Sequence, residues 1–289
     1  MNLHVSRYRV EPGTNIRLAH LDTGDTGPFG SKEESAGFLE KRLDRLFELQ
    51  GLLYAERRYA LLVILQGMDA SGKDGVIGHV MRGLNPQGTS VVPFKVPSEE
   101  ELAHDFLWRA SRALPRRGEI AVFNRSHYEE VLVVRVHPEW LQRQRLPADR
   151  VTKRFWDERL EDIRTFEEHL VRSGTVIVKF FLHVSRKEQR KRLLARVDDP
   201  AKNWKMNSAD LVERERWNDY QRAYEQAVSA TSTKGAPWYV VPADHKWFAR
   251  ALVGEVLIET LASLGLQGPK LDPTEAARLK RAAAALRRT

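Results

Sequence analysis

The sequence predicts an α/β fold, a mostly parallel sheet covered by helices on both faces. Two observations carry that prediction. Apolar runs of strand length alternate with longer stretches whose apolar residues recur at helical spacing. The runs are continuous rather than alternating, as in strands buried on both faces, and the first of them ends in a glycine-rich turn that opens a helix. In such sheets the site lies at the carboxyl ends of the strands.

Residues 1–30 read as an irregular segment punctuated by Gly13, Gly24, Gly27, Pro28 and Gly30. Ser31 and Glu34 have capping-box spacing, and Leu39, Leu43, Leu46 and Leu53 mark one face of a helix running to about residue 57. "YALLVILQ" (59–66) is the first core strand, and a helix is expected from Lys73 to about Arg82. "GLNPQG" (83–88) is a loop and "SVVPF" (90–94) a short strand. "PSEEELAHDFLWRASRAL" (97–114) is expected as one helix, with proline and acids at its start. "EIAVFN" (119–124) and "TVIVKFFLHV" (175–184) are core strands, separated by a helix through Trp156, Leu160, Ile163, Phe166 and Leu170 that ends near Gly174. Helical stretches follow at 186–197 and about 209–230, then the strand "PWYVVPA" (237–243) and a last packed helix at 246–265. The domain is expected over 31–268, followed by an Ala- and Arg-rich basic tail at 269–289 that reads as a loose helix.

The chain has 289 residues, no cysteine, and a net charge of +8. Without cysteine there is no disulfide framework and no thiolate nucleophile or metal ligand. Positive charge favours anionic partners. No apolar run approaches the ~20 residues of a membrane span, and the N-terminus lacks the order of a signal peptide, so no membrane partner and a cytoplasmic location are expected.

"GMDASGKDG" (67–75) carries the chemistry. Gly67, Gly72 and Lys73 satisfy G-x-x-x-x-G-K between an apolar strand and a helix. In that context the backbone N–H groups through Ala70 and Ser71 can cradle phosphate, the helix N-terminus adds partial positive charge, and Lys73 adds a full one. Asp74 stands where such loops place a Ser or Thr that ligates Mg²⁺. A carboxylate ~4 Å from a phosphate charge is repelled by roughly 4 kcal/mol at an effective dielectric of ~20. Asp69 and Asp74 therefore point to divalent metal held by carboxylates. For Asp74 the alternative is an acid that complements the helix dipole.

"VFNRSHYEEVLVVRVH" (122–137) leaves the second core strand. Asn124 sits where many phosphate-loop enzymes place a metal-holding Asp. Arg125 would face the same crevice and can clamp phosphoryl oxygens. Glu129 and Glu130 can hold metal or orient an acceptor, and His127 reads as a structural hydrogen-bonding residue.

With these stretches on the page, and with "GLNPQG", "PSEEELAHDFLWR", "KEQRKRLLAR", "DPAKNWK" and "APWYVVPADHKW", the chain resembles the polyphosphate kinase 2 family from about residue 36 to 265. The resemblance implies a phosphate-loop (P-loop) kinase fold with a helical lid, here at about 186–220. It implies reversible, Mg²⁺-dependent transfer of the terminal phosphate of inorganic polyphosphate to a nucleoside mono- or diphosphate, with Mn²⁺ as an alternative metal. The acceptors would be AMP and ADP, with GMP and GDP as further candidates, and the assembly a dimer or tetramer. By position, Asp69 would handle metal and the reacting phosphates, Lys73 would contact polyphosphate, and Arg125 would complete the catalytic set. Asn124 departs from members with "FDRS", so Glu129 and Glu130 would compensate, Glu130 as a metal ligand and Asn124 and Glu129 on the nucleotide side. That variant resembles the branch accepting both mono- and diphosphates.

The lid stretch from Arg186 to Lys205 holds eight basic residues, Arg186, Lys187, Arg190, Lys191, Arg192, Arg196, Lys202 and Lys205. Arg196, Lys202 and Lys205, nearest the "DDPAKNWK" bend, are the candidates for closing over polyphosphate. Trp204 would pack the lid or stack on a base. Two rival readings stand: an ATP-dependent small-molecule or nucleotide kinase, against which Asp74 argues, and a non-enzymatic polyanion or nucleic-acid binder. Clustered aromatic–basic stacking platforms are not evident, and no nucleic-acid partner is expected.

Overall fold

A computed structural model describes residues 2–201, 203–205, 209–269 and 272–288. Its six strands are β1 (Arg9–Val10), β2 (Ala60–Gln66), β3 (Thr89–Pro93), β4 (Ile120–Asn124), β5 (Thr175–His183) and β6 (Trp238–Pro242). They form one sheet in the order β1-β6-β5-β2-β4-β3. Every pairing is parallel except β1 with β6. From β2 the chain runs to the β3 edge, returns through β4, then crosses β2 to build β5 and β6. The direction of winding therefore reverses at β2, and the crevice for a ligand opens at its carboxyl end. Register sets the floor of that crevice, with Leu65 beside Asn124 and Gln66 beside Phe181. All seven residues of β2 are buried, which is why it reads as one unbroken apolar run.

Helices α1 (Lys32–Glu56), α2 (Lys73–Val80) and α10 (Lys246–Ser263) pack together on one face. On the other face lie α6 (Phe155–Arg172) and α9 (Trp217–Thr231), with the short α5 (Val133–Val136) against α9. The remaining helices are α3 (Glu99–Leu102), α4 (Trp108–Arg112), α7 (Arg186–Val197), α8 (Ala209–Glu215) and α11 (Pro273–Leu286). Ser31 caps α1 by accepting the Glu34 N–H at 3.2 Å. Glu34 in turn accepts the Gly30 N–H at 2.8 Å, one residue before the usual capping-box partner. Asp272 caps α11, which buries none of its residues.

The fold differs from the sequence expectation in three places. The helix expected over 97–114 is broken into α3 and α4, because the Asp105 carboxylate accepts the Leu107 N–H at 2.9 Å and holds a turn there. The stretch 209–230 divides at Arg216 into α8 and α9. Residues 2–30 are ordered onto the domain. Arg9 and Val10 pair with β6, and the N–H groups of Ile16 and Leu18 donate to Ser229 and Glu225 of α9.

One polar group lies at the centre of the sheet. Lys179 of β5 is fully buried and donates to Glu167 of α6, to the Tyr128 hydroxyl at 3.1 Å and to the Thr231 carbonyl at 2.8 Å. Breaking such a pair by removing one partner costs about 3–5 kcal/mol. The network fixes Tyr128, and with it the chain that leaves β4.

Candidate active site

The loop after β2 is shaped by close approach. A Cβ at Gly67 would lie 2.7 Å from Ser71 Oγ and 3.0 Å from the Leu182 carbonyl, so no larger residue fits without movement. Ala70 holds φ 59°, a left-handed conformation that costs a non-glycine residue about 1 kcal/mol or more. Lys73 opens α2 and folds back over the loop, donating to the Gly67 carbonyl at 2.6 Å and the Met68 carbonyl at 3.3 Å. Burial lowers its pKa to about 8; Arg125 adds to the effect, while Asp69, Glu129 and Asp74 oppose it.

The chain leaving β4 supplies the other wall. Arg125 takes φ 62° and anchors its N–H on the Leu65 carbonyl at 3.0 Å. Its guanidinium bridges two carboxylates, Asp69 of the loop at 2.7 Å and Glu129 at 2.9 Å. Glu129 raises the Arg125 pKa above its ordinary value; burial opposes this and Asp69 adds to it. Ser126 is buried and accepts from Gln66 Nε2 and the Tyr128 N–H, both at 3.1 Å. The turn is therefore held by its own cap and by the end of β2.

The two acids of the loop are treated differently. Asp69 is clasped by Arg125 inside the crevice. Asp74 is exposed and accepts Asn124 Nδ2 at 2.8 Å. Asn124 thus holds the Asp74 carboxylate; a carboxylate at 124 would face it with like charge. His127, expected as a hydrogen-bonding residue, is buried with neither ring nitrogen hydrogen-bonded, its Nε2 being 3.6 Å from Glu167. The apolar packing of Tyr128 and Phe166 around the ring leaves it no acceptor at bonding distance.

A cavity of about 410 Å³ opens beside Arg125. Asp69, Arg125, Glu129, Glu130 and Arg109 line it together with Phe94, Phe106, Trp140 and Tyr220. It therefore has one charged end, at the loop, and an aromatic body. Glu130 accepts from Gln144 at 2.6 Å, with Arg159 3.8 Å away. Burial raises its pKa, against the pull of Gln144, Arg159 and Arg109. Arg109 stacks over Phe94 at 4.7 Å. Helix α8 reaches the cavity through Glu213, which accepts from the Tyr220 hydroxyl at 2.5 Å and lies 2.9 Å from His137 Nε2. A larger cavity of about 520 Å³, between residues 18–23, the end of β5 and α9, touches no loop residue. The smaller one is the candidate for chemistry, because charge and loop meet there.

Sequence reasoning placed Arg192 among the basic residues of a lid, and the structure gives it another role. Arg192 is buried and donates to four carbonyls, Ala70 at 3.0 Å, Ser71 at 2.9 Å, Ala243 at 2.6 Å and Asp244 at 2.9 Å. Gln189 donates to the Asp69 carbonyl at 3.1 Å. Helix α7 is thus a brace behind the phosphate loop. Its helical spacing, with Gln189, Arg192 and Leu193 on the buried face, is the sequence signal for that role. Trp204, expected on a base or packed under a lid, is 78% exposed, bonds its indole N–H to the Ala201 carbonyl and does not line the cavity. Its short 3-10 turn leaves the ring no core to enter. Arg196 is half-buried on α7; Lys202 and the Lys205 side chain lie outside the described residues. Arg109, Phe94, Phe106, Trp140 and Tyr220 were not found from sequence, since five residues spread over 94–220 leave no local pattern.

Asp69, Glu129 and Glu130 share the cavity, but among the described residues no three His, Cys, Asp or Glu side chains converge as a metal cage. One or two carboxylates suit Mg²⁺, which takes most of its oxygens from phosphate and water. The donor set therefore fits such an ion at Asp69 once phosphates are present, and fits a dedicated all-protein site poorly.

The family model for polyphosphate kinase 2 matches residues 30–267. An ADP-polyphosphate phosphotransferase of Rhodopseudomonas palustris is 52% identical over 274 residues, 94% of this chain and 95% of that one. An AMP/ADP-polyphosphate phosphotransferase of Meiothermus ruber is 47% identical over 267 residues, 92% and 96% of the two chains. The crystal structure of polyphosphate kinase 2 from Arthrobacter aurescens TC1 superposes with a TM-score of 0.88 at 42% identity, covering 98% of this chain and 97% of that one.

Proposed function

Because the chain belongs to the polyphosphate kinase 2 family, we infer that it transfers the terminal phosphate of inorganic polyphosphate to a nucleotide. Nucleoside mono- and diphosphates are both acceptors in this reading, which the activities named for the Meiothermus ruber and Rhodopseudomonas palustris relatives support, AMP and ADP for the first and ADP for the second. The observation that carries it is the bridge made by Arg125. It joins the phosphate loop, through Asp69, to a cavity whose aromatic body suits a base and whose charged end suits phosphate.

In the reaction, an ionised oxygen of the acceptor phosphate attacks the terminal phosphorus of the donor in line. The anhydride P–O bond to the next phosphate breaks, and its electrons leave on the shortened chain. No general base is required, since the attacking oxygen carries no proton. Lys73 turns from the Gly67 and Met68 carbonyls to the donor, and Arg125 meets charge on the transferring oxygens. Asp69, with phosphate oxygens completing the shell, would hold Mg²⁺, or Mn²⁺ in its place; bound there, the ion screens the two polyanions from each other. Glu130, held by Gln144 and Arg159 on the cavity wall, belongs with the acceptor rather than with the metal.

Asp74 weighs against the ATP-kinase rival. The position that would carry a metal-binding hydroxyl is occupied by an acid tied to Asn124. Assembly as a dimer or tetramer belongs to the same proposal and is read by light scattering. The test of function is incubation with polyphosphate, Mg²⁺ and either AMP or ADP, followed by nucleotide separation. New ADP or ATP is expected, and its absence with both acceptors would sink the reading. Asp69→Asn and Lys73→Ala should each nearly abolish turnover in protein that still folds and melts cooperatively.

A further inference from the structure

One carboxylate of the acceptor cavity has no part in the reaction described above. Glu213 lines the cavity from the short helix α8, far in sequence from Asp69, Glu129 and Glu130. Its Oε2 accepts the Tyr220 hydroxyl at 2.5 Å and lies 2.9 Å from His137 Nε2. Its Oε1 is reached by solvent and has no hydrogen-bond partner among the described residues. Burial, and then the hydrogen bond to Glu213, push the Tyr220 phenol above its ordinary range, so it keeps its proton and stays a donor. His137 is buried behind the wall, just after α5. Its ring stacks on Trp140, another residue of the cavity, with centroids 5.2 Å apart and planes at 19°. Its Nδ1 is 3.1 Å from Glu139. A ring set between two carboxylate oxygens donates to both when each nitrogen carries a proton. One residue earlier, the Val136 carbonyl accepts from Arg216 at 3.2 Å. The junction of α8 and α9 is therefore fastened to the chain after β4 at two adjacent points.

A carboxylate on the wall of a cavity for a phosphorylated ligand repels that ligand unless it meets a donor. An adenine nucleotide carries three donors away from its phosphates: two ribose hydroxyls and the 6-amino group of the base. We propose that Glu213 is a specificity-determining residue, which accepts a hydrogen bond from the nucleoside part of the acceptor through Oε1, and that His137 is its positioning residue, which holds Oε2. This rests on the polyphosphate reading above and deepens it, by assigning the group that reads the nucleoside. Glutamine would be a poor substitute. Its amide oxygen would stay with His137 and Tyr220, leaving an NH₂ donor where an acceptor is needed.

The experiment measures initial rates at saturating polyphosphate with ADP, 2′-deoxy-ADP, 3′-deoxy-ADP and the inosine analogue IDP, which lacks the 6-amino donor. The proteins are the parent, Glu213→Gln, His137→Phe, His137→Gln and Glu40→Gln, an exposed charge loss on α1. In the parent, the analogue without the contacted donor should lose about tenfold or more in kcat/KM, the scale of a hydrogen bond to a charged group. Loss with a deoxy analogue assigns the contact to the ribose, and loss with IDP assigns it to the base. Glu213→Gln should bring ADP and that analogue within about twofold of each other, through a higher KM for ADP. His137→Phe keeps a ring against Trp140 but removes both donors. It should raise the KM for ADP severalfold and leave the KM for polyphosphate unchanged, and His137→Gln, which restores an N–H donor, should recover part of that loss. A residue that only supports the fold would not separate the two KM values. Glu40→Gln should match the parent within about twofold, as expected for a solvated charge. A parent that discriminates against none of the three analogues, or a Glu213→Gln that keeps the discrimination, would overturn this inference alone. A parent that forms no product from any acceptor would overturn the functional reading and this inference with it.

Discussion

Lys73 should titrate inside the working range of the enzyme. Its pKa falls from 10.5 to about 8, burial being the main cause and Arg125 the next. That gap corresponds to about 3 kcal/mol against the charged form in the ligand-free protein. Since the folded value lies below the unfolded one, the unfolded chain binds an extra proton between pH about 8 and about 10.5, and stability rises with pH across that window. Below it the charged lysine costs the folded state the full amount. Phosphate reverses the balance by favouring the charged form, so polyphosphate binds to protonated enzyme. The expected profile is a kcat/KM for polyphosphate that falls about tenfold per pH unit above about 8, with kcat holding to higher pH because the occupied site restores the proton's affinity. Initial rates over donor concentration between about pH 6.5 and 9.5 read both curves. Urea melts of parent and Lys73→Met across the same range should show the parent gaining about 2 kcal/mol relative to the variant, since the range stops short of the unfolded pKa. A flat kcat/KM through this range, or no relative gain in the melts, would refute the assignment of a buried, phosphate-facing lysine.

Three further outcomes follow from the same geometry. Arg125→Lys replaces a fork that spans two carboxylates by a single ammonium, and kcat should fall about 10²- to 10³-fold, read by steady-state kinetics at saturating donor. Asn124→Asp removes the donor to Asp74 and sets like charges opposite; thermal melts should show a loss of about 1 kcal/mol, recovered when Asp74→Asn is added. Arg192→Met strips four carbonyls of their shared donor and should cost about 3 kcal/mol or more in denaturant melts; Arg192→Lys should recover little of that loss, because an ammonium cannot match the fork.

The order of strands and helices was readable because parallel strands buried on both faces have no alternation to confuse them with surface strands. The break at Asp105 was not, since a side chain that competes for one backbone N–H is weaker than the helical spacing around it. Within the site, the loop and the Asn124–Glu130 stretch were legible because each is contiguous and its residue types have one shared chemistry. The cavity was hidden for the opposite reason. Phe94, Phe106, Trp140 and Tyr220 come from four separate segments, and each reads in sequence as an ordinary core aromatic. Charge was the least legible property of all. Arg192 and Arg196 lie one turn apart in the same basic helix, yet one is sealed behind the loop and the other is only half-buried.

Arg125 and Arg192 show why residue type alone could not assign those roles. Both are arginines that touch the phosphate loop, and both use their two terminal nitrogens. Arg192 directs those nitrogens to backbone carbonyls, which are fixed and neutral, and its Nε to Glu188 on its own helix, so nothing at the loop is left to move when ligand arrives. Arg125 directs its donors to carboxylates, whose charge a metal or a phosphate can compete for. The distinction explains the aspartate inside the loop. Without ligand, Asp69 balances Arg125 and the crevice carries little net field at its centre. In the proposed reaction, a divalent cation held by Asp69 would leave Arg125 free to turn toward phosphate, so that one exchange of partners would serve donor and acceptor together. Asp74 takes no part in that exchange while Asn124 holds it. Two acids of one loop, alike in sequence, are thus separated by what donates to each: a neutral amide for one, a cation with a second use for the other.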